Sequence, residues 1–432
     1  MSNVRGHEMD KMNRREFLAG AATLAAVAGC RSSSVGISAT SDNRGNVYDA
    51  DKIRFNADGE FRFLHLTDVH LKSCEGRLPE ETDALLRQAF AKYNPQLVVL
   101  TGDIVWCKLT TAKGNFEKAL KPLIDIFREH KVHFCVTFGN HDSEHHGPDW
   151  YTRLEMYEFY KKFGGEYFVD HDVPELTGTG NGVVGICFDG SAKPSFNLFV
   201  MDSGAYAKDG GYDGCRTDQI AWYEKVSGDT PALWFQHIIV PDVNVTGLFV
   251  EVPTPGAKRD DSKPSAEDQK PKIKEGPDTG YRMSWPDGER MMLLAPGVKG
   301  DLMERTCPPK WITYRNAAHT YKGRTLYDSW LRMGNLKGAY FGHDHKNSFD
   351  GVDKNGIRLG MTKTASFVTY NDGTAGLRAF TLRPDGTYDT ETFFVKPSSR
   401  AEGVSWVNRF KNKDNKHEKH VPLYLVYSSC GD

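Results

Sequence analysis

The sequence predicts an α/β fold with a core of parallel strands. From about residue 51 onward, short apolar runs alternate with helical patterns, and polar residues of the same few types follow five of the apolar runs. A strand, helix, strand order that repeats at this spacing is typical of parallel pairing. The chain has 432 residues, 39% hydrophobic and 26% charged, which is a normal globular composition with enough length for a large core.

The first elements are two strands and two helices. FRFLHL (61–66) predicts a strand, and apolar spacing after a proline predicts a helix over 79–93. QLVVLT (96–101) has the continuous apolar pattern of a strand that is buried on both faces. A helix over 115–130 is expected to break or kink at Pro122, because proline lacks the amide hydrogen of a helical bond.

The later elements are mostly strands. A helix is predicted over 150–163, and further strands are predicted at 133–138, 197–201, 232–236 and 338–341. After Gly356 the pattern becomes all-β, and TLRPDGTY (381–388) predicts a hairpin around Asp385-Gly386. Residues 253–280 are rich in Pro, Lys, Asp and Glu, so they predict a flexible insertion, which we interpret as a solvated loop rather than a lid.

The N-terminus has the pattern of an export signal. RREFL (14–18), followed by a short Ala-rich stretch, resembles a twin-arginine signal, and residues 1–29 form this segment. The stretch ends in VAGC (27–30), which resembles the lipobox of bacterial lipoproteins, in which the cysteine is lipidated. We therefore expect twin-arginine export, a lipid on Cys30, a linker over 30–50, and a periplasmic or membrane-anchored lipoprotein of a bacterium. The alternative is an ordinary export signal with Cys30 incidental.

Net charge, the length of apolar runs and cysteine spacing give no sign of a nucleic-acid-binding protein, an interior membrane helix or a zinc ribbon. The formal net charge of −2 gives no general affinity for nucleic acid, so no nucleic-acid partner is expected. No interior apolar run approaches the ~20 residues of a membrane helix. The eight cysteines contain no CxxC pair that would suggest a zinc ribbon, and disulfide pairing stays open. Residues 397–432 form a C-terminal segment of unclear role, polar and basic over 407–420.

Five predicted strands run into Asp, Asn or His residues. These strand ends are DVH (68–70), GD (102–103), GNHD (139–142), His237 and GHDH (342–345). Because the carboxyl ends of parallel strands meet at one edge of an open α/β sheet, we expect these side chains to converge. Each motif alone has an ordinary interpretation as a turn, a helix cap or a buried histidine. Their occurrence together predicts a functional site.

In these motifs, their order and their spacing, residues 55–390 resemble the calcineurin-like metallophosphoesterases. The chain most resembles the purple-acid-phosphatase-like subgroup that has Asp-x-His in its first motif, and WFQHIIVPD (234–242) is typical of that subgroup. The resemblance implies a four-layer α-β-β-α sandwich with mixed sheets, which would occupy residues 51–396.

The resemblance also implies two divalent metal ions, which would be Mn, Fe or Zn. The implied ligands are Asp68, His70 and His345 for the first ion, Asn140, His237 and His343 for the second, and Asp103 as the bridge. Two cations about 3.5–4 Å apart need an anionic bridge, and a water between them loses a proton near neutral pH. The mixed nitrogen and oxygen ligands suit these metals better than Ca²⁺. A neutral Asn140 keeps the centre positive and so attractive to phosphate.

His141 and Asp142 are the residues to which the resemblance assigns catalysis. His141 would protonate the leaving oxygen or bind the phosphoryl group, and Asp142 would orient its ring; the alternative is a purely structural histidine. His145 and His146 are interpreted as exposed loop residues without chemistry. The purple enzymes proper have a tyrosine ligand where this chain has Trp106, so an iron–tyrosinate colour is not expected.

These features predict an exported hydrolase that cleaves phosphate esters, monoesters foremost, by in-line attack of metal-bound hydroxide. Its expected partners are the phosphate ester and, through the anchor, the membrane. The alternatives are a phosphodiesterase that uses the same site and a non-catalytic, phosphate-binding surface lipoprotein. No cluster of Arg and Lys beside the motifs marks a nucleotide or inositol phosphate pocket. Weaker candidates for contacts in the cleft are Lys363, Arg378, Asp202 and Tyr206.

Overall fold

Two mixed β-sheets lie face to face, and helices cover the outer face of each sheet. The structure is a computed structural model that describes residues 40–41, 47–48, 53–188, 191, 193–253, 280–285 and 288–395. The chain divides into two units, Met1–Ala39 and Thr40–Asp432, and every described residue belongs to the second. The predicted signal, most of the linker, residues 254–279 of the predicted insertion and the C-terminal segment lie outside these ranges. Within them, every helix is too short or too polar to span a bilayer.

The strands and helices are numbered in chain order among the described residues. The strands are β1 (Thr40–Ser41), β2 (Val47–Tyr48), β3 (Phe61–Leu66), β4 (Leu97–Thr101), β5 (His133–Thr137), β6 (Gly182–Cys187), β7 (Pro194–Val200), β8 (Ala232–Gln236), β9 (Phe249–Pro253), β10 (Gly280–Trp285), β11 (Gly288–Leu294), β12 (Leu336–Phe341), β13 (Asp350–Val352), β14 (Arg358–Met361), β15 (Ala375–Leu382) and β16 (Tyr388–Val395). The helices are α1 (Glu80–Tyr93), α2 (Phe116–Glu129), α3 (Arg153–Gly164), α4 (Thr217–Val226), α5 (Trp311–Tyr314) and α6 (Leu326–Met333).

Both large sheets combine parallel and antiparallel pairs. The eight-stranded sheet has the order β1-β2-β6-β7-β8-β12-β14-β13, and the five-stranded sheet has the order β16-β15-β3-β4-β5. Strands β3, β4 and β5 are parallel neighbours in the smaller sheet, as are β7, β8, β12 and β14 in the larger one. The predicted hairpin joins β15 to β16 with Leu382 opposite Tyr388, and Gly386 in its turn has φ +84°.

Alternate residues of each strand enter different layers, which follows from the two-residue period of a strand. Phe63 and Val99 of the smaller sheet pack with Leu233 and Phe235 of the larger one between the two sheets. Their neighbours, such as Leu64, face α1, α2 and α3 on the outside. The other outer layer packs α4 and α6 against the second sheet. The predicted four-layer α-β-β-α sandwich with mixed sheets is therefore confirmed.

The helix that contains Pro122 is continuous, so of the predicted break or kink the break is wrong. α2 runs over 14 residues with Pro122 inside it, and its apolar face is buried on both sides of the proline. Leu120, Leu123 and Ile124 are fully buried in the outer core. Burial of this face outweighs the single hydrogen bond that proline removes.

The structure contains strands that the sequence did not predict. β9, β10 and β11 form a separate three-stranded antiparallel sheet, and β9 and β10 flank the predicted insertion. Within the predicted linker, β2 pairs with β6, with Val47 opposite Val184. These four linker residues of β1 and β2 are therefore part of the sheet rather than a plain tether.

Candidate metal centre

Residues from both sheets meet at the edge where the parallel strands end. Asp68 and Asp103 follow β3 and β4, His237 follows β8, and the 342–345 turn follows β12. Nδ1 of His237 donates to the carbonyl of Thr101 over 2.9 Å, which joins the end of one sheet to the end of the other. The expectation that these motifs converge is confirmed.

Six of the seven predicted ligands form two groups, each of three residues with ligand atoms within 4.8 Å of one another. The groups are Asp68, His70 and His345, and Asp103, His237 and His343. The seventh, Asn140, lies beside the second group, with Oδ1 3.1 Å from Nε2 of His237. The groups adjoin, because Nε2 of His70 lies 3.8 Å from Oδ2 of Asp103. All seven side chains are buried.

The two carboxylates each leave one oxygen without a hydrogen-bond donor. Oδ2 of Asp68 accepts from Thr67 Oγ1 and from the backbone amide of His343, whereas its Oδ1 has no donor. Oδ1 of Asp103 accepts from the amide of His141, whereas its Oδ2 has none, although His237 Nε2 is 3.1 Å away. A buried anionic oxygen without a partner is costly. Bound cations between these atoms would satisfy both, so the residues fit a metal centre.

His70, His237 and His345 present Nε2 to the cluster. Nδ1 of His345 lies 3.0 Å from the carbonyl of Tyr370, and Nδ1 of His237 is bound to Thr101. Such contacts fix the tautomer and ring orientation of a metal ligand. Nε2 of His70 lies only 3.1 Å from Nε2 of His345. Two imidazole nitrogens that point at each other are the arrangement that a shared cation requires.

Burial and charge set the protonation of this cluster. Burial lowers the pKa of His70 to about 4 despite the nearby Asp68, and it lowers the pKa of His343 to about 3, with His237 adding to the effect. At His237, burial also disfavours the charge, but Asp103 and Asp68 outweigh it and raise the pKa to about 9. Burial opposes the charge of both carboxylates, yet the histidines hold the pKa of each below its usual range. Ionised carboxylates and mostly neutral imidazoles are the state that binds metal.

Four of the ligands have left-handed backbone conformations. The φ angles are 54° for Asp68, 50° for His70, 51° for Asp103 and 77° for His343. Non-glycine residues in this region cost of order 1–3 kcal/mol each and persist where the surroundings enforce them. These ligands therefore occupy a strained edge of the fold, which no sequence pattern revealed.

Two glycines allow the Gly102-Asp103 motif and the Gly139-Asn140 motif to approach each other. A Cβ on Gly102 would lie 2.0 Å from the amide nitrogen of Gly139, and a Cβ on Gly139 would lie 2.2 Å from Oδ1 of Asp103. Any other side chain at either position would push apart the loops that hold Asp103 and Asn140. The Gly-Asp and Gly-Asn motifs thus combine a ligand with the space that it needs.

His141 lies at the open side of the cluster, as predicted. Its side chain is 26% exposed, and its ring lies 5.5 Å from that of the ligand His70. Nδ1 of His141 is 2.9 Å from Oε2 of Glu144. With Nδ1 occupied in this way, Nε2 is the ring atom left to contact a substrate.

The predicted contact between Asp142 and the His141 ring does not occur. Asp142 is buried, and its carboxylate accepts four backbone N–H groups, those of Asp103, Ile104, Val105 and Gly139. The carboxylate therefore holds together the loops that follow β4 and β5, and both of its oxygens are occupied. Burial, together with the Asp103 charge, raises the pKa of Asp142 to about 6.

Glu144 takes the position that the sequence assigned to Asp142. Besides His141, it accepts hydrogen bonds from Trp106 Nε1 at 3.1 Å and from the Tyr206 hydroxyl at 3.3 Å. Burial works against its charge, but the hydrogen bond with His141 lowers the pKa of Glu144 below its usual value. Its spacing of three residues from His141 was the only available signal, and that spacing is uninformative without knowledge of the turn.

Tyr206 connects this carboxylate to the second metal group. Its hydroxyl accepts from Nδ2 of Asn140 at 2.9 Å, which turns Oδ1 of Asn140 toward His237. Tyr206, one of the candidates for a contact in the cleft, therefore lies beside the ligands. Trp106, in the place of the tyrosine ligand of the purple enzymes, donates to Glu144 through Nε1 and packs its ring against the ligand His70.

Three weaker candidates have structural roles. Lys363 is buried and donates to Asp372 and Thr374, and Arg378 is buried with its guanidinium on backbone carbonyls. Asp202 is buried and binds Arg153, which in turn donates to the carbonyl of Gly139 over 2.6 Å. All three side chains are engaged by these partners, which favours structural roles for them. His145 and His146 belong to neither of the two ligand groups found in the described part of the chain.

A cluster of nitrogen and oxygen ligands, where the strand ends of two facing mixed sheets meet, defines a metal-binding protein of the phosphoesterase class. The model of the calcineurin-like phosphoesterase family matches residues 61–347, and the chain belongs to this family.

The similar curated proteins come from plants and fungi. The chain is 25% identical over 363 residues, 74% of each protein, to "Probable inactive purple acid phosphatase 14" of Arabidopsis thaliana. It is 24% identical over 409 residues, 88% of this chain and 89% of the relative, to "Probable inactive purple acid phosphatase 29" of the same plant. It is also 26% identical over 199 residues, 40% of this chain and 33% of the relative, to "Phosphatase DCR2" of Saccharomyces cerevisiae. The resemblance to purple-acid-phosphatase-like proteins is confirmed.

Proposed function

We propose that this protein hydrolyses phosphate esters, monoesters foremost, at a centre of two divalent metal ions. The observation that carries this proposal is the pair of buried oxygens, Asp68 Oδ1 and Asp103 Oδ2, that lack hydrogen-bond donors among converging imidazole nitrogens. The first ion would be held by Asp68, His70 and His345, the second by Asn140, His237 and His343, and Asp103 would contact both. When bound, two such ions supply an activated water and positive charge for the phosphoryl oxygens.

The protein's own residues would handle the leaving group. Glu144 accepts the proton at Nδ1 of His141, which orients the ring and leaves Nε2 to face the leaving group; a proton carried at Nε2 would be donated to the oxygen that departs. Asp142 supports the loops that carry Asp103 and His141 through their backbone amides. Asn140 contributes a ligand oxygen without a negative charge, which favours binding of an anionic ester.

The second candidate is a phosphate-binding protein without turnover. The names of the two plant relatives, which call them probably inactive, favour this alternative. The presence of all seven ligands, together with a His141 that is oriented by Glu144, supports catalysis instead.

The test compares a chromogenic monoester with a chromogenic diester. Purified protein is assayed on p-nitrophenyl phosphate and bis-p-nitrophenyl phosphate after loading with Mn²⁺, Zn²⁺ or Fe²⁺, with metal content measured for each preparation. We expect the monoester to be preferred, and we expect Asp103→Asn to abolish turnover. Asp125→Asn, which changes an exposed carboxylate on α2, is the control. Phosphate binding by a protein that contains two metals but shows no turnover would favour the second candidate, and a faster diester reaction would reverse the substrate preference.

Export and lipid attachment are a separate part of the proposal, supported by the motifs of residues 14–30 alone. Labelling of cells with a radioactive fatty acid should mark the wild-type protein and leave Cys30→Ser unlabelled. The double substitution Arg14→Lys and Arg15→Lys should block export and leave the precursor in the cytoplasm. Labelling that persists in Cys30→Ser would contradict the assignment of the anchor.

A further inference from the structure

Aromatic rings surround the mouth of the metal centre. The ring of Tyr370 lies parallel to the ligand His345, with centroids 3.9 Å apart and planes at 11°. Although one face rests on this ligand, Tyr370 is 51% exposed. The centre itself is buried, so a bound substrate would have to extend past such exposed residues.

A second ring pair covers the other metal group. Tyr212 packs edge-on against the ligand His343 with centroids 4.2 Å apart, and Tyr206 stacks on Tyr212 at 5.9 Å. Tyr206 is 49% exposed, and its hydroxyl is anchored by Asn140 and Glu144. This anchor holds the ring in place beside the second group.

Trp106 forms a third aromatic surface, next to the proposed proton donor. Its ring lies 5.1 Å from that of His141 and 5.3 Å from that of His70. Each of the two proposed metal positions and His141 therefore has an aromatic neighbour. The exposed rings of Phe188 and Trp311 pack elsewhere, on Phe55 and Arg315 respectively.

The charged groups at this mouth do not favour a second phosphate. Lys72 lies 4.0 Å from the centroid of Trp106 and donates to the carbonyl of Val368, and Lys346 lies over Tyr370 and 3.8 Å from Glu304. Glu144 adds a negative charge beside His141. The surfaces offered to a leaving group are thus ring faces, which attract planar groups through stacking.

We propose that the site selects phosphomonoesters whose leaving group carries a planar aromatic ring, which would stack on Tyr370 or Tyr206. This inference rests on the proposed function and specifies its substrate class. A nucleoside monophosphate and a simple arylalkyl phosphate share this chemistry. A polyphosphate or an inositol polyphosphate does not, and Lys72 and Lys346, the cations named above among the described residues, are already held by Val368 and Glu304.

The first arm of the test compares adenosine 5′-monophosphate with ribose 5-phosphate. Both release the same kind of primary alcohol, so they differ only in the presence of the base. The second arm compares benzyl phosphate with cyclohexylmethyl phosphate, which separates ring planarity from mere apolarity. We expect kcat/KM to favour the aromatic member of at least one pair about tenfold, which corresponds to about 1.4 kcal/mol. A preference in the first arm alone identifies the nucleotide class, and a preference in the second arm identifies simple aromatic esters.

The variants Tyr370→Leu and Tyr206→Leu remove the rings. At least one should reduce the preference to about twofold or less, whereas Trp311→Leu, an exposed ring outside the site, should retain it. Because the preference is a ratio for a single enzyme, losses that are common to both substrates cancel.

Equal kcat/KM within both pairs, or a preference that survives in both tyrosine variants, would overturn the inference. The proposed function is judged separately, by hydrolysis of ribose 5-phosphate and p-nitrophenyl phosphate. If these are hydrolysed and the aromatic esters are no better, only the substrate class is wrong. If no ester is hydrolysed, the proposed function fails as well.

Discussion

Oε2 of Glu144 lies 2.9 Å from Nδ1 of His141, and this contact fixes the ring that we propose as the proton donor. Glu144→Ala should lower kcat for a poor leaving group about 10- to 100-fold, because a disoriented ring loses part of the 10²- to 10⁴-fold that general acids contribute. Glu144→Gln should lose less, since its amide oxygen still accepts from Nδ1.

Leaving-group dependence separates this role from a purely structural one. Hydrolysis of p-nitrophenyl phosphate needs little protonation of its leaving oxygen, so Glu144→Ala should impair it much less than ribose 5-phosphate. In a His141→Ala background, Glu144→Ala should have no further effect on kcat. Equal losses on both substrates, or fully additive effects, would show that Glu144 merely supports the loop.

Asp142→Asn should reduce stability more than an ordinary surface change. The carboxylate accepts four backbone N–H groups, and an amide nitrogen would face two of these donors without an acceptor. We expect the free energy of unfolding to fall by about 2–4 kcal/mol, as measured by urea denaturation. Asp125→Asn should change it by less than about 0.5 kcal/mol. Wild-type stability in Asp142→Asn would contradict the structural role.

Metal binding should stabilise the folded protein. Oδ1 of Asp68 and Oδ2 of Asp103 are buried carboxylate oxygens without a hydrogen-bond donor, and bound cations would supply the missing partner. Treatment with a chelator should lower Tm by several degrees, and Mn²⁺ or Zn²⁺ should restore it, because ligands of the folded state alone shift the unfolding equilibrium. Differential scanning fluorimetry measures this shift without reference to activity. In Asp103→Asn the restoration should be much smaller, and an equal shift there would argue against the assigned ligands.

The buried carboxyl group of Asp242 should make the free energy of unfolding depend on pH. Burial raises its pKa to about 6, opposed by Tyr314, and one of its oxygens lacks a partner. A folded pKa above the unfolded value of 3.8 means that the folded state binds the proton more tightly. The stabilisation is therefore complete below pH ~4 and is lost as the pH rises through ~6.

Asp242→Asn removes this titration, so its stability relative to wild type should rise as the pH increases from ~4 to ~6, by about 3 kcal/mol in total at pH 7. Chemical denaturation of the metal-loaded proteins at several pH values provides the measurement, with Asp125→Asn as the reference. A difference between Asp242→Asn and wild type that does not vary with pH would refute the assignment.

The sequence predicted most of the fold because the main signals are local and strong. β3 and β8 begin and end at the predicted residues, since both are short apolar runs bounded by polar motifs. The small β9-β10-β11 sheet was not predicted because β9 and β10 flank a polar insertion, although Tyr281, Met283 and Trp285 of β10 have the two-residue period of a strand. The sequence predicted a break at Pro122 because it does not show how much apolar surface the rest of α2 buries.

The ligands were predictable because they follow strands, whose ends converge in this architecture. The surroundings of the ligands were not. Asp142 directly follows His141, so the sequence suggested that the two side chains interact, but the turn directs the carboxylate toward backbone amides. The same turn brings Glu144 to the imidazole. Tyr206 and Tyr370, about 60 and 230 residues farther on, meet the site only through tertiary structure, which local patterns do not encode.

The left-handed backbone conformation of four ligands indicates which substitutions should accumulate in relatives that no longer use this site. At positions 68, 70, 103 and 343, φ lies between 50° and 77°. Glycine or asparagine adopts that conformation more readily than aspartate or histidine. When selection for catalysis is lost, substitutions to glycine or asparagine at these positions should cost little stability and can even increase it. Retention of Asp and His at all four positions in a lineage is therefore a mark of continued use, whereas their decay to glycine or asparagine would identify a retired enzyme before any assay.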